Sequence, residues 1–96
     1  MVTIEDNTIT IGSIKATQDD KQNFELAVER LLTEGYDEIL VDLSTTIYIP
    51  STLMGYLMWK KQQLKKKGIR IKIIAISDSL HKVFDEARIS DFFELK

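Results

Sequence analysis

Two short β-branched runs, Ile39-Leu40-Val41-Asp42-Leu43 and Ile69-Arg70-Ile71-Lys72-Ile73-Ile74-Ala75-Ile76, each follow a stretch whose apolar residues recur every three or four positions. That alternation constrains the fold more than any other feature. The first run is short, mostly apolar and β-branched, as a strand covered on both faces would be. Ahead of it, Phe24, Ala27, Val28, Leu31 and Leu32 share one helical face, with Glu25, Glu29 and Arg30 between them. Parallel neighbours need a crossover, normally right-handed, so strand and helix in alternation predict an α/β fold. The expected architecture is a central mixed, mostly parallel sheet of four or five strands, with about four helices packed mainly on one face.

Local signals mark the boundaries. Val2 to Ile4 and Thr8 to Ile14 are β-rich and separated by Glu5-Asp6-Asn7, residues that close a hairpin. Thr17-Gln18-Asp19-Asp20 has the spacing of a capping box, and Gly35 can end the helix it opens, predicted over residues 18–34. Ile47-Tyr48-Ile49 extends or follows the central strand until Pro50, which cannot donate to a ladder and disfavours helical geometry at Ile49. A second helix is predicted from Ser51 to Lys67, stopped by Gly68, with Leu53, Leu57 and Leu64 facing the core and Met54 at the edge. Ser77 can cap a third over residues 78–87, with Leu80, Val83, Phe84 and Ala87 as its stripe. Ile89 to Leu95 closes the chain with Phe92 and Phe93. With 96 residues and 44% hydrophobic composition, one domain over residues 1–96 with one modest core is expected.

Composition narrows the function. The chain has no cysteine, which excludes disulfides, thiolate zinc sites and cysteine nucleophiles and fits a reducing cytoplasm, the expected location. Its formal net charge of −2 offers nucleic acid no broad attraction. Met1 to Asp6 reads as neither a secretory signal nor an apolar segment, and no stretch has membrane-spanning length. No glycine-rich phosphate loop, metal-ligand cluster or nucleophile-base-acid set is visible, so neither catalysis, a cofactor nor a metal is expected. His81 is the only histidine and reads as a surface or helix-end residue. Asp42 reads as a carboxylate that hydrogen-bonds loop backbone. Lys60, Lys61, Lys65, Lys66 and Lys67 read as a solvated helix face and end that complements the dipole.

The start of the second helix is the candidate site. A serine there serves as a helix cap or, phosphorylated, would meet the positive end of the dipole. Ser51 is the first candidate acceptor and Thr52 the alternative. On the same helix Thr52, Gly55, Tyr56 and Trp59 point away from the leucine face. Tyr56 and Trp59 are candidates for exposed aromatics of the kind that anchor interfaces, the alternative being that Trp59 lies over a neighbouring helix. Gly55 would admit a partner's backbone or, alternatively, serve packing. The candidate partner-binding residues are thus Ser51, Thr52, Gly55, Tyr56 and Trp59.

From Glu38 to Leu95 the chain resembles the STAS family, the domain shared by bacterial anti-sigma factor antagonists and sulfate transporters. The resemblance rests on the Ile39 to Ser44 strand, Ser51-Thr52-Leu53-Met54-Gly55 at the loop-to-helix junction, the Ile69 to Ile76 strand, and a closing segment with Val83-Phe84 and Asp91-Phe92-Phe93. The family motif reads Asp-Ser-Ser/Thr-Gly-Leu-Gly, with the phosphorylated hydroxyl directly after the aspartate. By position that hydroxyl is Ser51; Thr52 matches the second hydroxyl and Gly55 the last glycine. Pro50 stands where the aspartate is expected and Leu53 where the first glycine is expected. The resemblance implies a bacterial, cytoplasmic partner-switching module in transcription regulation. It would bind an anti-sigma-type serine kinase, with phosphorylation of Ser51 releasing that partner and a phosphatase resetting it; a homodimer is compatible with this reading. The departure at Pro50 favours a rival: a STAS-like adaptor that works without phosphorylation through Thr52, Gly55, Tyr56 and Trp59. A small-molecule or nucleotide sensor is a third reading, because open α/β sheets leave crevices at strand ends.

Overall fold

The computed structural model describes residues 1–95. Strands β1 (Val2–Glu5) and β2 (Thr8–Ile11) form an antiparallel hairpin, turned at Asp6, whose φ of 53° is the left-handed conformation that aspartate tolerates. Helix α1 (Gln18–Thr33) then carries the chain to β3 (Glu38–Leu43), parallel to β2, and α2 (Ser51–Lys65) carries it to β4 (Arg70–Ile76), parallel to β3. The sheet order is β1-β2-β3-β4, followed by α3 (Asp78–Glu86).

Burial alternates along the strands, so β3 is fully buried on one face only, which corrects the expectation of a strand covered on both faces. Ile9 and Ile11 of β2, Ile39, Val41 and Leu43 of β3, and Ile71 and Ile73 of β4 are buried. They share one cluster with Phe24, Val28 and Leu31 of α1, Leu53, Leu57 and Leu64 of α2, and Leu80 and Phe84 of α3. The leucine face of α2 is therefore the predicted one, with Met54 partly buried at its edge. In β4, Val41 pairs with Ile73 and Asp42 with Ala75, so Ile74 is the extra residue of a bulge and is turned outward.

Three helices are present among the described residues, fewer than the four expected. After α3 the chain forms only a single turn between Arg88 and Glu94, both with φ near 60°. Glu94 N donates to Asp91 O (3.0 Å) and Leu95 N to Ser90 O (2.8 Å). The turn is too short to propagate a helix, yet it buries Ile89 and Phe93. β2 also ends earlier than the β-rich stretch through Ile14, because residues 12–16 leave the sheet. α2 stops at Lys65 rather than Lys67: Gly68, at φ 74°, bends the chain so that its N–H donates to Lys65 O and that of Ile69 to Leu64 O.

The capping box is formed as its spacing predicts. Asp20 N donates to Thr17 Oγ1 at 3.1 Å, and Thr17 N to Asp20 Oδ2 at 3.0 Å. Asp20 is buried and also accepts from the Met1 ammonium at 2.7 Å. Burial pushes its carboxyl upward, but the ammonium and the hydrogen bonds from Thr17 and Ser13 outweigh that and hold it below the usual carboxylate range. A carboxyl with a depressed folded-state pKa contributes stability that is present above its unfolded value and lost as pH falls through the folded one. Asp20→Ala is expected to cost about 1–3 kcal/mol at neutral pH. In urea titrations, the gap between variant and parent should close as pH drops below 3.8.

Candidate functional site

The loop between β3 and α2 determines where Ser51 sits, and buried polar contacts hold it in place. Asp42 at the end of β3 accepts from Ser44 N (2.9 Å) and Ser44 Oγ (2.7 Å), the loop-organising role read from sequence. Thr46 is fully buried, with Oγ1 at 3.0 Å from Ile11 O and 2.8 Å from Ser13 O, so its hydroxyl is tied to the end of β2. Ser77, the cap of α3, donates from Oγ to Thr46 O at 2.6 Å while accepting from Leu80 N. Ile47 N then donates to Ile14 O, Ala16 N donates to Tyr48 O, and Lys15 and Tyr48 form a parallel bridge. Ile49 and Pro50 are buried. The chain enters α2 from a fixed platform.

Pro50 is the N-cap of α2, which corrects the expectation that Ser51 caps the helix. Ser51 is instead the first helical residue. Its backbone is already helical, so its side chain does not reach back over the first turn as a cap does. The three helices differ at this end. α1 has a capping box and two acids in its first turn, and α3 has Ser77 and Asp78. α2 has no side-chain cap and no acid in its first turn. Leu53 N and Met54 N donate to Pro50 O, whereas the N–H groups of Ser51 and Thr52 have no backbone acceptor among the described residues. This end of the dipole is uncompensated and directed outward.

The two hydroxyls are not equivalent. Gln18 Nε2 donates to Thr52 Oγ1 at 3.0 Å, which ties Thr52 to the start of α1. Ser51 is exposed, and its Oγ makes no hydrogen bond among the described residues. The segment leading into α2 carries exposed apolar residues that the sequence reading did not assemble. Ile47 (42% exposed) and Tyr48 (53%) stand shortly before α2, and Ile14 (60%) stands on the segment before α1 that the bridge joins to them. No local signal marked them: strand alternation would place Ile47 on the same face as the buried Ile49, whereas Ile47 and Tyr48 are both exposed.

Along α2, Thr52, Gly55 and Trp59 form the outward stripe. A Cβ at Gly55 would meet nothing within 4 Å, so this glycine does not serve packing within the chain. Trp59 is 55% exposed as predicted, yet its ring is held: Tyr56 lies at 6.1 Å between centroids, and Lys60 Nζ at 5.5 Å from the ring while paired with Glu29 at 2.7 Å. Lys60 is therefore buried rather than solvated. Tyr56 departs from the expected exposure. It packs edge-on against Phe24 at 6.2 Å, and its hydroxyl is buried without a hydrogen bond. Burial, then the charges of Glu29 and Glu25, push its phenol far above the ordinary range, so it stays neutral. Tyr56 thus braces Trp59 instead of presenting a second aromatic.

His81 is half-buried on α3, with Nε2 at 3.7 Å from Asp85 Oδ1, which accepts from the Ser90 hydroxyl. The carboxylate lies between imidazole and hydroxyl, an order that cannot activate the serine as a nucleophile. Among the described residues no group of three potential metal ligands is present, and no helix is long and apolar enough to cross a membrane. No protein-family model matches the chain, and no curated protein matches its sequence.

Thr46→Val removes the hydroxyl that pins the loop and leaves buried carbonyls without it, so a loss of about 1–3 kcal/mol is expected in urea unfolding. Gly55→Ala should instead stabilise the free chain by roughly 0.5–1 kcal/mol, because a mid-helix glycine carries an entropic cost and the added methyl meets no neighbour.

Proposed function

We propose that this chain is a regulatory protein-interaction module of the STAS type, resembling an anti-sigma factor antagonist. It binds an anti-sigma-type serine kinase through the surface around Ser51, and phosphorylation of Ser51 controls that binding. The observation that carries the reading is the free, exposed Ser51 hydroxyl in the first turn of α2, whose positive end, unlike those of α1 and α3, lacks both a side-chain cap and an acid. A phosphate there adds about −1.5 to −2 charges, and the Ser51 and Thr52 amides are available to donate to it. The same charge would be added three residues after the exposed Tyr48, and it opposes desolvation of a contact made through Tyr48 and Ile47. Unmodified, that patch and Trp59 supply the anchor; phosphorylated, the patch becomes costly to bury. Thr52, already hydrogen-bonded to Gln18, is the lesser acceptor.

A second reading, the constitutive adaptor, is favoured by Pro50 at the cap position and by the Gly55-Trp59 stripe, which needs no hydroxyl to bind. The two separate in one experiment using a candidate anti-sigma-type serine kinase. Incubation with the kinase and ATP, followed by peptide mass spectrometry, should place the modification on Ser51. Ser51→Ala should retain partner affinity, and Ser51→Glu should weaken it at least about tenfold, or ~1.4 kcal/mol. Unaltered binding by Ser51→Glu, together with loss of binding by Trp59→Ala, would establish the adaptor instead.

A further inference from the structure

The cations of this chain are concentrated at the far end of α2. Residues 60–72 contain seven of its 13 Lys and Arg (Lys60, Lys61, Lys65, Lys66, Lys67, Arg70 and Lys72) and no acid. At 1.5 Å rise per residue, Lys65 lies about 21 Å along the helix from Ser51. Compensation of the helix's negative end would explain such a cluster. Here, however, backbone groups close that end: Lys67 N and Ile69 N donate to Leu64 O, and Gly68 N to Lys65 O. Lys65 makes neither an ion pair nor a side-chain hydrogen bond among the described residues, and Arg70 only approaches Glu38 at 3.8 Å.

Between α2, β4 and the closing turn lies a cleft of about 510 Å3, lined by Lys61, Lys65, Arg70, Phe92 and Glu94 with Ile69 and Ile71 at its apolar side. Its size is that of a small-molecule site. Phe92 is half-buried and stands edge-on to Phe93 at 5.1 Å, and Phe93 packs on Phe84 at 5.4 Å, so the aromatic wall is anchored in the core. One anion is already present. Glu94 Oε2 lies 3.3 Å from Lys61 Nζ, which also donates to Ile71 O at 3.2 Å. The hydrogen bond and charge of Lys61, with Arg70 and Lys72 adding, hold the Glu94 carboxyl below its ordinary range. Three lining cations against the carboxylates of Glu94 and Asp91 leave one positive charge; with Glu94 swung out, two remain, which is the charge a phosphomonoester neutralises.

We infer that this cleft binds a small organic phosphomonoester, its phosphate on Lys61, Lys65 and Arg70 and its apolar or aromatic body against Phe92, displacing Glu94 as the resident anion. The site is separate from the Ser51 surface and does not depend on its role.

Phenyl phosphate is the probe, titrated into the full 15N-labelled chain and followed by amide shifts. Saturable shifts are expected around residues 61–71 and 91–94, with inorganic phosphate weaker by about tenfold. Lys65→Ala and Arg70→Ala, both at exposed positions, should each weaken phenyl phosphate by about tenfold, whereas Glu94→Gln should tighten it severalfold. Spectra of the free variants, unchanged around Ser51, show that the fold is intact. Absence of saturable shifts at millimolar phenyl phosphate would overturn the assignment. So would equal affinity for inorganic phosphate, or weaker binding by Glu94→Gln.

Discussion

The Thr46 hydroxyl, buried against the carbonyls of Ile11 and Ser13, is the contact on which the candidate site depends. A loop leaving the end of a strand carries backbone groups that the sheet no longer pairs, and it stays ordered only if side chains or neighbouring segments take their place. Here one residue serves both directions. Its side chain holds the loop to the end of β2, while its carbonyl receives the Ser77 hydroxyl that also caps α3. Three elements distant in sequence are joined through Thr46, and the platform carrying Ile47, Tyr48 and Pro50 follows from that junction. Ser51 follows a loop held by side-chain and backbone hydrogen bonds.

The helix termini differ in how their backbone groups are satisfied. α1 and α3 satisfy their first turns with Thr17, Asp20 and Ser77, so each is complete in itself. α2 begins on a buried proline and leaves two amides open beside a free hydroxyl, then ends in backbone-closed carbonyls surrounded by cations. Its first end therefore suits an added phosphate on the chain, and its last end suits a phosphate brought by a ligand. The face between them carries Gly55, whose missing side chain nothing in this chain requires, and a tryptophan held by Tyr56 and the Lys60–Glu29 pair. An aromatic already fixed in orientation loses little further entropy when a partner covers it.

Much of the fold was legible because its determinants are local. The capping box of α1, the Ser77 cap, Gly68 at φ 74° and the leucine face of α2 all arise from residues within one or two turns of each other, where spacing reads directly as geometry. The fourth helix failed for a local reason as well, since left-handed Arg88 and Glu94 confine the closing segment to one turn. Tyr56 was misjudged because helical spacing gives an angle around α2 but does not say that α1 lies close enough for Phe24 to cover that angle. Lys60 was misread for the same reason: Glu29 comes to it from α1.

Sequence by itself determined the α/β class, the alternation that requires crossovers, and the start of a helix at Ser51, because periodicity and turn chemistry act over a few residues. Tertiary structure alone decided which hydroxyl is free. Gln18 reaches Thr52 only because α1 and α2 pack side by side, and Ile14 meets Ile47 only because β2 and β3 run parallel in the observed register. The cleft at the other end likewise needs α2, β4 and the closing turn to converge before Lys61, Arg70 and Phe92 become neighbours. These relations join residues separated by tens of positions, and no local pattern in the chain encodes such distances.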